Sequence, residues 1–259
     1  MARTARTERQ QLEEAGRTKA LLKQLLFTTA SDSWDFLYKA LLDKLHFELF
    51  SPAEWRNLIT GQKALTPYKL NWIEQAFPGA RKFHDDGPWK IWLALFSPER
   101  ELWALYHGGN SSIEQAILGF EKRLLTSKNQ IEPDDFVEAI ALYRLHATIR
   151  DLAPLDVDVR GVYRCVRACQ QDCRVSALLA YYGIEYEVIS ILSEQEINRL
   201  NSDRQYNDAI GIKDIAHSVF MRNQIITTEQ RVAALRENEK RELGMTKIRK
   251  NPPSVNEDW

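Results

Sequence analysis

The sequence has few cysteines, no long apolar run and no excess of charge of either sign. Its three cysteines all lie between Cys165 and Cys173, and an odd number in one short segment does not suggest an extracellular disulfide framework. No window is long and apolar enough to span a bilayer, and no apolar stretch precedes Ala20, which argues against a secretory signal. We therefore expect a cytoplasmic protein with no membrane partner.

The charge balance limits how the chain could bind nucleic acid. It has 35 Lys and Arg residues against 36 Asp and Glu residues, a net charge of -1, which is unlike a histone-like or ribosomal protein. Any nucleic-acid contact must therefore be a local patch. A phosphate-binding glycine loop and a Gly-x-Ser-x-Gly elbow are also missing from the sequence. We expect no enzymatic activity, no cofactor and no metal site.

Apolar residues recur at spacings of three and four residues along most of the chain, whereas alternating runs are short and isolated. This pattern predicts an all-α fold, with an N-terminal helix-turn-helix-like module followed by a C-terminal helical bundle. The predicted division is a basic arm over residues 1–17, the module over 18–80, a tryptophan-rich connector over 81–126, a helical domain over 127–243 and a flexible tail over 244–259.

Capping residues predict where several helices begin. Ser33 precedes the amphipathic segment WDFLYKALLDKL, and Ser51-Pro52 and Thr66-Pro67 both place a hydroxyl before a proline. Further downstream we expect helices over residues 112–125, 133–150, 157–182 and 193–200, with another beginning at Thr228. The last of the four ranges starts with a capping box, Ser193 to Glu196.

The segment SPAEWRNLITGQK has the pattern of a helix that reads DNA. Trp55, Leu58 and Ile59 would face inward, which leaves the opposite face free for the major groove. Arg and Asn side chains suit guanine and adenine edges, and Lys can hold a phosphate. The residues predicted to contact DNA are Ser51, Ala53, Arg56, Asn57, Thr60, Gln62, Lys63 and Lys69.

The longer stretch SPAEWRNLITGQKALTPYKLNWIEQAFPG resembles the recognition helix, glycine turn and fourth helix of the lambda-repressor-like (XRE) DNA-binding domains. The matching positions are Ser51, Gly61, Lys63, Pro67, Leu70 and Ile73. The resemblance covers about 30 residues, or about 60 if the helices from residue 18 are included. It departs from the family in the connection HFELF, which is longer than the family's tight turn. Glu54 also adds a negative charge near the expected phosphate surface.

The resemblance implies a protein that binds double-stranded DNA, such as a transcriptional regulator or a mobile-element or plasmid factor, with a homodimer or protein partner held by the C-terminal helices. The alternative is a non-enzymatic helical adaptor or immunity-type interaction protein. A third hypothesis, a metal-dependent hydrolase, rests on His84 and Asp85, which Asp86 follows. Because Gly87-Pro88 comes directly after these three residues, we expect a polar turn.

Three other patterns favour ordinary structural roles. Cys165, Cys169 and Cys173 would lie on one stripe of a helix, with the outer two about 12 Å apart, so we expect core packing rather than a metal site. The tryptophans are spaced for core packing. A basic cluster, Arg160, Arg164, Arg167 and Arg174, predicts a solvated helix face that could form a second contact with an acidic partner.

Overall fold

The computed structural model describes residues 6–109, 112–126, 131–149 and 163–209, together with residues 152, 155, 230, 233, 234 and 237. These residues form helices and contain no β-strand, so the predicted all-α class is confirmed. The start of a helix at Thr228, the predicted tail over 244–259, Arg160 and Trp259 lie outside the described residues.

Twelve α-helices occur in the described part of the chain. They are α1 (Glu8–Thr28), α2 (Trp34–Leu45), α3 (Pro52–Ile59), α4 (Pro67–Ala76), α5 (Ala80–Asp86), α6 (Ile91–Phe96), α7 (Glu99–Leu102), α8 (Ile113–Thr126), α9 (Pro133–Ala147), α10 (Arg164–Gln171), α11 (Cys173–Tyr182) and α12 (Glu185–Ala209). Short 3₁₀ turns span Pro88–Lys90 and Trp103–Leu105. No single described helix is long and apolar enough to cross a membrane, whereas α11 and Glu185–Ser202 together pass that test by length and composition as a pair bent by 111°.

The helix starts predicted at Ser33, Ser51 and Thr66 are confirmed. The Ser33 hydroxyl accepts a hydrogen bond from the third amide of α2, and Ser51 and Thr66 do the same at the starts of α3 and α4. Pro52 and Pro67 occupy the first helical position, where no amide is needed. The starts of α2, α3 and α4 are thus fixed by residues within one turn of each helix.

The buried apolar side chains form two clusters that share α1. The first cluster lies among α1 to α5 and includes Leu21, Trp55 and Ile73. The second runs from Ile91 to Leu192 around α9, and it therefore crosses the domain boundary expected near residue 127. Because α1 contributes buried side chains to both clusters, it packs against the helices of each.

The prediction of one continuous helix over residues 157–182 is wrong. Asp172 adopts an extended backbone conformation (φ −62°, ψ 134°), ends α10 and caps α11 by accepting from the Arg174 amide. Cys165 and Cys169 are buried on α10, while Cys173 is exposed at the first position of α11. The three thiols therefore do not share one helical stripe, and the expected core packing holds for only two of them.

The helix predicted to begin at Ser193 is also wrong. Ser193 lies inside the continuous helix α12, where its side chain is buried. Glu196 does not cap this helix, because its carboxylate is bound by Tyr143 and Arg199. The helix continues through the capping-box pattern because Val188, Ile191 and Leu192, just before Ser193, pack into the second cluster.

The predicted solvated basic face is corrected in the same region. Arg167 is only 2% exposed and belongs to the interior. Arg164 lies 3.0 Å from Glu121, and Arg174 lies 2.7 Å from Glu132. The described members of this cluster are thus buried or ion-paired.

Candidate duplex DNA interface

Helix α3 is anchored on its inner side by two side chains. Trp55 is 4% exposed and Leu58 is 1% exposed, as the sequence predicted, whereas Ile59 is only partly buried. The rings of Tyr38 and Phe50 pack on Trp55 at 5.6 and 5.5 Å between centroids. A short helix held this firmly presents its opposite side in a fixed orientation.

The turn after α3 is fastened to α1. The Thr18 hydroxyl accepts a 3.0 Å hydrogen bond from the Leu65 amide, and Thr18 is completely buried. Gly61 has a positive φ of 71° and lies against the stem of Lys19, whose ammonium is 2.5 Å from Glu187 on α12. A side chain other than glycine at position 61 would be strained in this backbone conformation. The turn is thereby held by α1 directly and, through Lys19, by Glu187 on α12.

The outer side of α3 and its following turn carry most of the predicted DNA contacts. Exposed side chains there are Ser51, Ala53, Arg56, Thr60, Gln62 and Lys63, and Asn57 is partly exposed. The Lys63 amide donates a 3.0 Å hydrogen bond to the Asn57 carbonyl, which keeps Lys63 close to the end of the helix. Neither Arg56 nor Lys63 forms an ion pair with a described residue. Both charges are therefore available to an anionic partner.

Lys69 is placed differently from the other predicted contacts. Its ammonium lies 2.5 Å from the Glu54 carboxylate and 4.7 Å from the centre of the Phe50 ring, and its side chain is 18% exposed. From the sequence, Glu54 was expected to oppose DNA, but its carboxylate is neutralised by Lys69. The pair joins α3 to α4, a contact that no local spacing could reveal.

The connection between α2 and α3 is long and ordered. His46 ends α2 with a positive φ of 61°, and the Tyr38 hydroxyl lies 2.7 Å from the Phe50 carbonyl and 2.6 Å from the Glu48 carboxylate. Burial and the neighbouring Glu48 raise the pKa of Tyr38 to about 12. Helix α3 packs mainly on α1, and α2 packs mainly on α4. A helix-turn-helix joins its two helices by a turn of three or four residues, which is shorter than the connection between α2 and α3. The helix-turn-helix motif therefore stays a prediction.

An aromatic cluster, Phe47, Tyr68 and Trp72, lies on the surface of the same module. The Trp72 ring meets Phe47 at 4.9 Å and Tyr68 at 6.3 Å, both in edge-to-face geometry. Tyr68 is 63% exposed and Phe47 is 37% exposed. These rings pack on one another at the surface rather than entering the core.

His84 and Asp85 do not form the polar turn expected from the sequence but lie in the last turn of α5. The Arg17 guanidinium donates to the carbonyls of both residues, and burial lowers the pKa of His84. No group of three or more His, Cys, Asp or Glu residues that could hold a metal ion occurs within the described ranges. The positive charge of Arg17 would also oppose a cation at this position.

Comparisons with protein-family models, with curated proteins and with solved structures find no match for this chain. The similarity of residues 51–79 to the lambda-repressor-like domains therefore stays a prediction.

Proposed function

We propose that this protein binds double-stranded DNA through the outer side of α3 and the turn that follows it. The observation that carries the proposal is the pair of exposed, unpaired cations, Arg56 and Lys63, on a short helix whose inner side is locked by Trp55 and Leu58. An Arg can donate two hydrogen bonds to guanine, and a Lys at the helix end can reach a phosphate. Ala53 and Thr60 on the same side are small enough to let the helix approach the bases.

The surrounding charges permit this contact without making it strong. Residues 18–80 contain seven Lys and Arg residues and six Asp and Glu residues. The ion pair between Glu54 and Lys69 cancels one charge of each sign beside α3. We therefore expect weak binding to random DNA, with a dissociation constant on the order of 10⁻⁵ M, and tighter binding only at a specific site.

The test is fluorescence anisotropy with a random-sequence duplex at two salt concentrations. On random-sequence DNA both cations act through phosphates, so Arg56→Ala/Lys63→Ala should weaken binding and reduce the slope of log affinity against log salt by about 2. Both side chains are exposed, so the folded state should be unaffected.

A matched control removes two exposed cations from α7 and α8, which pack into the second cluster. Arg100 is 84% exposed on its side chain, and Lys122 is exposed on α8. Arg100→Ala/Lys122→Ala changes the net charge by the same amount and should leave binding unchanged. Equal losses in the two double variants, or no binding by the wild type at low salt, would contradict a DNA site on α3.

The wider proposal is a transcriptional regulator, or a factor of a mobile element or plasmid, that works as a cytoplasmic homodimer. Two copies would place two α3 helices on successive half-sites about 34 Å apart along the duplex. Light scattering with and without a specific duplex would measure the number of copies bound.

The exposed aromatic cluster favours a second candidate function, a helical adaptor that binds another protein. Tyr, Trp and Phe are enriched at protein interfaces, and Tyr68 and Phe47 are both accessible. An adaptor would lose its partner on Tyr68→Ala but would not depend on Arg56 or Lys63. Pull-down with these variants separates the two functions.

A further inference from the structure

We propose that a pocket in the second cluster binds a small primary amine that carries a short apolar group. The pocket has a volume of about 130 Å³. Its lining residues are Trp89, Lys90, Ala104, Leu105, His107, Asp134 and Val137. A cavity of roughly 150 Å³ holds benzene. The pocket is slightly smaller, so only a short apolar group fits. The site lies apart from α3, and its ligand is independent of DNA binding.

The first reason is the way His107 is held. Its Nδ1 lies 2.9 Å from a carboxylate oxygen of Glu138, and the Arg123 guanidinium lies 2.6 Å from the same oxygen. When Nδ1 donates to the carboxylate, Nε2 becomes the hydrogen-bond acceptor of the ring. The side chain is 61% exposed, and Nε2 contacts no described residue. In this neutral tautomer, an acceptor with a fixed direction is left open at the pocket wall.

The second reason is the burial of Glu138 behind His107. Glu138 is only 1% exposed, and its other carboxylate oxygen has no hydrogen-bond donor among the described residues. Buried carboxylates that serve only the fold usually have all their oxygens satisfied. A buried carboxylate that orients an exposed histidine is an arrangement that binding and reaction sites use.

The third reason is the backbone at the pocket edge. Trp89 and Lys90 adopt left-handed conformations with φ values of 50° and 68°, although neither is glycine. Such conformations are unfavourable for residues with a side chain, and they concentrate at ligand sites. Here they place both side chains on the pocket wall, with the Trp89 ring 5.6 Å from the ring of Tyr182.

The lining selects the chemistry of the ligand. Leu105 and Val137 form an apolar floor for a short hydrocarbon group. Asp134 lines the pocket and makes no ion pair with a described residue, so its carboxylate can accept from an ammonium. The face of the Trp89 indole also attracts a cation. The ammonium of Lys90 is on an exposed and flexible stem, which can turn to solvent when a second cation binds.

Isothermal titration of the full chain with 3-methylbutylamine and with 4-methylpentanoate tests this assignment. The two probes have similar apolar groups and opposite charges. The amine should bind with a dissociation constant of about 1 mM, as expected for a fragment of this size, and the carboxylate should bind at least about tenfold more weakly. Imidazole signals of His107 should shift in NMR spectra during the amine titration.

The matched variants are Asp134→Asn and Asp43→Asn. Asp43 is an exposed acid on α2, a helix that packs into the first cluster. Asp134→Asn should weaken amine binding about tenfold while Asp43→Asn leaves it unchanged. Equal binding of the two probes, no binding of either, or equal effects of the two variants would overturn the proposal. Circular dichroism of each variant identifies any loss of folding.

Discussion

Replacing Glu54 by Gln should strengthen DNA binding if α3 meets the duplex. Glu54 holds the Lys69 ammonium at 2.5 Å, and the two side chains are 26% and 18% exposed. Gln removes the negative charge but keeps the size of the side chain, so Lys69 becomes an unpaired cation beside Arg56 and Lys63. One further phosphate contact then becomes available to the protein.

The size of the effect follows from counterion release. One additional phosphate contact steepens the slope of log affinity against log salt by about 0.9, which corresponds to roughly an eightfold gain at 0.1 M salt. The cost to folding should be small, because ion pairs close to the surface contribute about 0–1 kcal/mol. Urea unfolding of Glu54→Gln should therefore differ little from the wild type.

The assay is anisotropy over a series of salt concentrations, with Asp43→Asn as the control. Asp43→Asn removes the same charge from the same module, but Asp43 makes no described ion pair and lies on α2. Its slope should stay at the wild-type value. If both variants raise the affinity equally, only the net charge matters, and Lys69 is not released onto DNA.

Two further predictions concern titration and thiol chemistry. Burial lowers the pKa of His84 below the ordinary histidine value of about 6.5, so the unfolded chain binds the proton more readily. The stability contributed by neutral His84 should be fully present above about pH 6.5 and should fall as the pH drops below that value. His84→Asn should flatten this dependence in urea unfolding measured from about pH 5 to 8. Exposed Cys173 should react with iodoacetamide in the native protein, whereas Cys165 and Cys169, buried with raised pKa values, should react only after unfolding; mass spectrometry of the labelled peptides would detect any native labelling of the two buried thiols.

The helix starts in the first module were predictable because their signals are local. A capping hydroxyl at Ser33, Ser51 or Thr66 acts on an amide three residues away, so neighbouring sequence contains the whole interaction. Apolar spacing likewise identified Trp55 and Leu58 as the anchored side of α3, because burial in an amphipathic helix follows its period.

The same local signals failed where two of them competed. The apolar spacing continues past Asp172, which predicts one helix, but the Asp172 side chain caps a new helix, and the chain breaks into α10 and α11 there. At Ser193 a capping box is present, but the burial of Val188, Ile191 and Leu192 keeps the helix intact. Neither choice can be made without the packing partners of each segment.

The polar contacts of both proposed sites could not be predicted from the sequence. Lys69 meets Glu54 across two helices, and His107 meets Glu138 over a separation of 31 residues. No periodicity relates such residues, and each pair forms only after the helices have packed. Local spacing detects which side of a helix is buried but not which charges are paired on the other side.

Helix α1 connects the two proposed sites physically, and this decides which variants can test them. Thr18 holds the turn after α3, while Gln24 on the same helix accepts a 3.0 Å hydrogen bond from Tyr182, whose ring packs on Trp89 at the pocket. A substitution on α1 would therefore disturb both sites through packing, and a loss of binding would not locate a ligand. Arg56 belongs to the proposed DNA site and Asp134 to the pocket, and both are exposed. Removing either charge therefore perturbs its own site without moving α1.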